Sequence, residues 1–255
     1  MGIFDIDLAT AFGAGQVEIR FQPIVSLLDH SLMGVEALAR LRDPQGRIWP
    51  PEHFVAAAER SGLAALLSER VVAQAIDDFS AAFSADCEVW LAINLPLGVF
   101  LDAASPAMVA GHALLCGLPA GRILIELTES QPVQDLGDLA RAIALWQRAG
   151  FRSVLDDIDP GTHKLWQLLD QPFCAVKIDL ALVGRLPDDP VAVGFVTRVV
   201  ERTRGNGIKV VAEGVESEAM ADHLRRLGVD QAQGFLISRP MRSTMLPAWW
   251  CTWPS

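Results

Sequence analysis

No apolar run in the 255-residue chain approaches the roughly 18 residues that a membrane-spanning helix requires. The opening residues, MGIFDIDLAT, carry two acids where a secretory leader would carry a basic stretch and an apolar one. Gly2 is not followed by Ser or Thr at position six, which sets aside myristoylation. The four cysteines, Cys87, Cys116, Cys174 and Cys251, show neither CxxC nor Cys/His spacing, so neither a zinc cluster nor a disulfide framework is expected. The expectation is a cytoplasmic chain in a reducing setting, with no membrane contact from this segment. Excess positive charge is missing too. A formal net charge of −10 argues against DNA or RNA polymers as partners, because non-specific binding to them depends on a basic surface. An anionic ligand would therefore need positive charge from another source.

What is present is apolar bulk: 51% hydrophobic and 20% charged residues, the composition of a chain with a large core. Eight β-rich runs follow one another: VEIRFQPIV (17–25), LMGVEAL (32–38), EVWLAIN (88–94), ILIEL (123–127), RSVLD (152–156), AVKID (175–179), IKVVAE (208–213) and AQGFLI (232–237). From the second onward they are separated by segments with Ala, Leu and Val at three- and four-residue spacing, several ending in Gly. Alternating strands and helices predict parallel strands with helices outside, and eight such strands predict closure into a barrel. The first two runs are joined by only SLLDHS, too short for a parallel crossover, so they must be antiparallel. The predicted fold is α/β, a TIM-like (β/α)8 barrel with one antiparallel strand at the start. It forms a single domain over residues 1–255, with a lead-in segment over 1–16 and a Trp-rich tail over 243–255.

In such barrels the site lies at the C-terminal ends of the strands. Read there, the runs supply Glu36, Asn94, Glu126, Asp156 with Asp157, Lys177 with Asp179, Glu213 and Gln233. Each alone is an ordinary cap or turn residue. Together they predict one rim of hard oxygen donors, suited to Mg²⁺, Mn²⁺ or Ca²⁺, since no His or Cys falls at a strand end. A bound divalent cation would also offset the acidity that repels an anionic substrate. Lys177 is the only cation in the ring. It could orient an attacking water, stabilise a phosphoryl transition state, form a Schiff base, or simply pair with a neighbouring carboxylate. The surrounding carboxylates favour its ammonium form and so disfavour the aldolase-like use. Arg40, four residues after Glu36, could clamp a phosphate or be an ordinary surface residue.

FQPIVSL and EALAR, then INL, IELTES, LDDI, VKID, VVAEGVES and DQAQGFLISRPM, resemble in order the motifs of EAL domains, bacterial phosphodiesterases that hydrolyse cyclic di-GMP to linear pGpG. The resemblance runs from about residue 17 to 242 and implies the same barrel with a reversed strand. It implies metal ligands at Glu36, Asn94, Glu126 and Asp156, with Asp157 and Asp179 toward a second ion, and Glu213 completing the metal and water shell. Lys177 would orient or polarise the nucleophilic water and Gln233 would support the site. Gln22 and Arg40 would line the nucleotide and its phosphate, Asp179 would lie near the substrate, and Glu129 would fix the loop after the Asp pair. One or two Mg²⁺ or Mn²⁺ ions, inhibition by Ca²⁺, and a homodimer follow from the same resemblance. The chain departs from it after the Asp pair: Ile158-Asp159-Pro160-Gly161-Thr162-His163-Lys164 replaces a glycine-rich loop that, in the family, couples metal binding, substrate binding and dimerisation. Asp at the first glycine position gives up easy access to positive φ, and Pro160 restrains its own φ and Asp159, so the loop must take another path. One alternative to catalysis remains on the sequence: a degenerate EAL domain that binds cyclic di-GMP or a protein partner without turnover, to which an aromatic patch at Trp249, Trp250 and Trp253 would contribute. Those tryptophans equally suit a cover for the barrel end.

Overall fold

The computed structural model describes residues 8–13, 15–84, 86–128 and 133–254. Nine strands are described: β1 (Val17–Ser26), β2 (Leu32–Arg42), β3 (Ile48–Trp49), β4 (Trp90–Pro96), β5 (Ile123–Thr128), β6 (Arg152–Ile158), β7 (Ala175–Ile178), β8 (Lys209–Ala212) and β9 (Gln231–Ala232). Eight of them close into a barrel, and β3 is an antiparallel addition to the end of β2. β1 is the reversed strand, antiparallel to β2 through a register that places Gln22 opposite Glu36, and antiparallel to β9. The remaining barrel pairings are parallel. The short 27–31 connection thus produces the reversal that its length demanded.

Eleven α-helices accompany the strands among the described residues: α1 (Leu8–Gly13), α2 (Val55–Arg60), α3 (Ala64–Ala82), α4 (Leu97–Leu101), α5 (Ser105–Leu115), α6 (Leu136–Arg148), α7 (Leu165–Leu168), α8 (Leu180–Val183), α9 (Pro190–Arg204), α10 (Glu218–Leu227) and α11 (Leu246–Thr252). The long ones bury one stripe at helical spacing, as with Leu139, Ala142, Ile143 and Trp146 on α6. Side-chain caps start several of them: Asp135 accepts from two N–H groups of α6, and Asp189 does so for α9 just before Pro190. No helix among the described residues is long and apolar enough to cross a membrane. The described part of the tail, 243–254, packs back onto the body. Trp249 and Trp253 stack at 5.3 Å, and Trp253 Nε1 donates to the His30 carbonyl at 2.7 Å. Because His30 lies in the β1–β2 connection, the tail touches the chain at the end of the barrel where β2 begins.

Several strand boundaries differ from the sequence reading, and two of the differences have a clear backbone cause. The final run, 232–237, is strand only at Gln231–Ala232. Beyond it the chain folds against the loop after β8: Val215 N–H donates to the Gln233 carbonyl, and Leu236 N–H donates to the Val215 carbonyl. Gly234 makes this approach possible, since a Cβ there would lie 2.1 Å from the Val215 carbonyl oxygen. Glu36 is also not at a strand end. β2 runs on to Arg42 because its antiparallel ladder with β1 continues to Val17↔Leu41, whereas the parallel ladder with β4 stops at Ala37↔Ile93.

The two-residue period of a strand then sorts the barrel interior into layers. Ala92, Leu124 and Val154 form an apolar cluster separate from the main core, with Ala175 packed on it. Two residues further along the same strands stand Asn94, Glu126, Asp156 and Lys177, so a dry floor lies directly beneath a polar ring.

Gly234→Ala is expected to lower stability by about 2 kcal/mol or more, because the new Cβ meets backbone rather than a movable side chain. Gly194→Ala, on an exposed face of α9 with open space around it, is expected to raise it by roughly 0.5–1 kcal/mol. Thermal or urea unfolding of the two variants checks both signs.

Candidate active site

Lys177 is the centre of the ring. Its Nζ lies 2.6 Å from Glu213, 3.1 Å from Asp156, 3.2 Å from Glu36 and 3.3 Å from Glu126. It is fully buried on β7, and Glu36, Glu126 and Asp156 are buried around it from β2, β5 and β6. Carboxylate oxygens of Glu36, Glu126 and Asp156 all fall within 4.8 Å of one another, and so do those of Asp156, Asp157 and Glu213. Amides tie the ring to β1. Asn94 Nδ2 donates to Glu36 Oε1 at 2.6 Å, and Gln233 Nε2 donates to Glu36 Oε2 at 2.7 Å and to Gln22 Oε1 at 3.1 Å. Gln22 in turn donates to the Ser238 carbonyl.

Asp156 and Asp157 both reach this centre through a bulge. The ladder between β6 and β7 steps from Leu155↔Val176 to Ile158↔Ile178, so one extra residue is accommodated on β6. Asp157 takes φ +54° and its N–H donates to Asp156 Oδ1. The strand does not end at Asp156, where the run read from the sequence stops. It continues to Ile158, and the left-handed residue swings the second carboxylate back toward the first.

Other predicted residues are placed less centrally. Asp179 caps α8, its Oδ1 accepting from the N–H groups of Ala181 and Leu182, and it lies outside both convergent carboxylate groups. Arg40 is half-buried on β2, with Nη1 on the Ala39 carbonyl. Glu129 lies outside the described residues. The residue that sequence reasoning missed is Ser238, which acts through its backbone carbonyl and so leaves no mark in residue type.

The charges do not balance. Glu36, Glu126, Asp156, Asp157 and Glu213 are five carboxylates facing one ammonium. Burial pushes Glu126 and Glu213 well above the usual carboxylate range and Asp156 up to about 7, with mutual repulsion adding to it and Lys177 opposing it. Glu36 differs. Burial works to raise its pKa, but the charge of Lys177 and the donors from Gln233 and Asn94 hold it below the normal value. For Lys177 burial favours the neutral amine, yet Asp156, Glu126, Glu213 and Glu36 together hold it firmly protonated, which removes the nucleophile that a Schiff base requires.

These residues fit a divalent cation. The donor set is all hard oxygen, it carries an uncompensated negative charge, and two buried amide oxygens, Asn94 Oδ1 and Gln233 Oε1, have no hydrogen-bond partner. Exposed acidic clusters are common without ions, but a buried one with orphaned acceptors is costly unless a cation joins it.

The loop after the bulge takes its own path. Gly161 N–H donates to Asp159 Oδ1 at 2.7 Å, Asp159 N–H to Thr162 Oγ1 at 2.9 Å, and Thr162 N–H to the Asp159 carbonyl. Asp159 is not left-handed. Positive φ is taken instead by Asp157 before it and Lys164 after it.

Fold and site together define the class: a mixed-strand barrel with an acidic, cation-compatible centre on the rim where its parallel strands end. The EAL domain family model matches residues 6–240, and the chain belongs to that family. It is 31% identical over 243 residues to the bifunctional diguanylate cyclase/cyclic di-GMP phosphodiesterase MucR of Pseudomonas aeruginosa, covering 95% of this chain and 36% of MucR. It is 28% identical over 239 residues to the cyclic di-GMP phosphodiesterase RocR of the same organism, covering 92% of this chain and 60% of RocR. The chain thus spans about a third of the length of MucR. The solved structure of the PaMucR phosphodiesterase in its c-di-GMP complex matches with TM-score 0.86 and 30% identity, covering 94% of this chain and 98% of that one.

Linkage gives a pH signature. With the Asp156 pKa near 7 in the fold against 3.8 for the free side chain, the folded state holds an extra proton between about pH 4 and 7. The Asp156 contribution to the stability of the metal-free protein is therefore expected to fall as pH rises through that window. Mg²⁺ or Ca²⁺ binding must expel the proton, so affinity should strengthen toward pH 7, by up to about tenfold per unit. Calorimetry in buffers of different ionisation enthalpy would read the proton release at pH 6. Equal affinity at pH 5.5 and 7.5 contradicts the assignment.

Proposed function

We propose that the chain hydrolyses cyclic di-GMP to linear pGpG as a metal-dependent phosphodiesterase. The observation that carries this is the convergence of five carboxylates and the orphaned Asn94 oxygen around one buried ammonium, in a family whose named relatives include cyclic di-GMP phosphodiesterases. Glu36, Asn94, Glu126 and Asp156 would hold one cation, and Asp157, with Asp179 beyond it, a second. Bound Mg²⁺ or Mn²⁺ supplies Lewis acidity, which lowers the pKa of water and neutralises phosphate charge. Ca²⁺ would bind without supporting turnover.

The chain's own residues do the rest. Lys177 orients the attacking water with an ammonium that is already desolvated and fixed by its carboxylates. Glu213, its shortest partner at 2.6 Å, completes the water shell and is placed to take a proton. The water oxygen bonds to phosphorus, one ribose oxygen–phosphorus bond breaks, and the leaving oxygen gains a proton. Gln233 and Asn94 each hold one oxygen of Glu36, fixing that carboxylate without protonating it. Gln22 and Arg40 line the nucleotide, Arg40 as the phosphate clamp. The active unit would be a homodimer of single-barrel chains in the cytoplasm.

A second reading is favoured by one observation, the self-bonded Asp159 turn in place of a mobile glycine loop. It makes the chain a cyclic di-GMP binder without turnover.

The deciding measurement is pGpG release with Mg²⁺ and with Mn²⁺. Glu36→Gln should cut the rate by about 10³-fold or more, because it removes a charged ligand yet preserves shape. Undiminished turnover in that variant sinks the site assignment. No turnover in the wild type with either metal, with tight ligand binding in Ca²⁺, establishes the binder instead. Asp159→Gly loses the Asx-turn and is expected to cost about 1 kcal/mol of stability, read as a lower unfolding midpoint.

A further inference from the structure

The rim beside the carboxylate ring carries large apolar side chains that neither the core nor a metal needs. Leu180 directly follows Asp179 just past the end of β7, and Phe235 lies two residues past Gln233, beyond the end of β9. They are 59% and 48% exposed, on the rim where the parallel strands end. Single exposed hydrophobic residues are ordinary. These two, however, flank a set of loops that are pressed tightly together.

Gly214, the residue after Glu213, takes φ +65°, and a Cβ there would lie 2.8 Å from the Leu180 Cβ. Val215 N–H donates to the Gln233 carbonyl, and Leu236 N–H donates back to the Val215 carbonyl, each at 3.0 Å. The segment then turns once, with the N–H groups of Ile237 and Ser238 both donating to the Gly234 carbonyl. That turn sets the Arg239 guanidinium over the Phe235 ring at 4.1 Å, while the Ser238 carbonyl accepts from Gln22. Leu180, Phe235 and Arg239 thus form one side of the mouth, tied to the ring through Glu213, Gln233 and Gln22. Arg239 is exposed and takes part in no ion pair among the described residues.

Stacking on an aromatic ring uses the face of a guanidinium and leaves its N–H donors, which lie in the plane, to an incoming group. A guanidinium has donors and no acceptor, so it suits two adjacent acceptors and gains nothing from an amine. Guanine offers that pair on one edge, O6 beside N7, whereas adenine carries an amino group in place of O6. We propose that this wall reads a purine base of the substrate and selects guanine. The Arg239 fork, steadied by Phe235, takes O6 and N7, and the apolar face of the base lies on Leu180. The inference rests on the cyclic di-GMP reading above and adds to it the residues by which guanine is told from adenine.

The test is calorimetric titration of the Ca²⁺-loaded protein with cyclic di-GMP and with cyclic di-AMP. The wild type is expected to prefer cyclic di-GMP by about tenfold or more. Arg239→Met should bring the two affinities to within about threefold of each other, because it keeps the length and loses the fork, with the Ca²⁺ constant and the thermal midpoint unchanged. Leu180→Ala should weaken both dinucleotides alike, by about fivefold, since an apolar contact does not distinguish the bases. Equal affinity for the two dinucleotides in the wild type, or a preference that survives Arg239→Met, overturns the selection of guanine. Undiminished affinity in Leu180→Ala removes that residue from the wall. A wild type that binds neither dinucleotide overturns this inference and the cyclic di-GMP reading together, whereas tight cyclic di-GMP binding that ignores both substitutions overturns the wall alone.

Discussion

The ammonium of Lys177, buried among four carboxylates, is the interaction around which the barrel interior is arranged. Desolvating a charge is expensive, and a lysine at 1% exposure survives only because its partners surround it at 2.6 to 3.3 Å. Those partners come from three strands, β2, β5 and β6, and from Glu213 just past β8, so the ion cluster constrains the register of these strands against β7, which carries Lys177. Slipping any of these strands by one residue would exchange a ring carboxylate for an apolar neighbour and leave a charge unpaired. The apolar layer of Ala92, Leu124 and Val154 beneath excludes water from that side. It therefore strengthens the electrostatics above, and the cluster opens only toward the rim.

One ammonium nevertheless cannot satisfy five acids. The raised proton affinities of Glu126, Asp156 and Glu213 and the unpartnered amide oxygens of Asn94 and Gln233 express the same deficit, once as charge and once as missing donors. Protons or a divalent cation can fill it. Either filling would reconcile an acidic protein with the anionic substrate proposed for it, because each makes the centre less negative.

Much of this was legible before any coordinates. The length of SLLDHS alone fixed the reversed strand, and the strand-end residues, read through the two-residue period, named the ring, because polar atoms facing a barrel mouth are tied to sequence by geometry. What escaped were features with no signature in side-chain type. The extent of β2 beyond Glu36 depends on pairing with β1 well outside the parallel ladder. The early end of β9 depends on a backbone approach that only Gly234 permits, in a run whose hydrophobicity reads as strand. Asp179 ended a predicted strand and proved to be a helix cap, a use that its residue type serves equally well.

The Asp pair carries the lesson furthest. Strict alternation sends adjacent side chains to opposite faces, so a sequence argument had to end the strand at Asp156 to bring both acids to one centre. The protein keeps the strand and breaks the alternation, spending a single left-handed residue at Asp157. Asp tolerates that conformation better than most residues, and here its own N–H finds the Asp156 carboxylate. The bulge thereby moves the need for positive φ out of the loop. Asp159 and Pro160 can then be accommodated, because the turn they open asks only for right-handed or extended backbone and supplies its own hydrogen bonds. The altered loop is thus compatible with an intact carboxylate ring, and its cost falls on mobility at the rim rather than on the geometry of the centre.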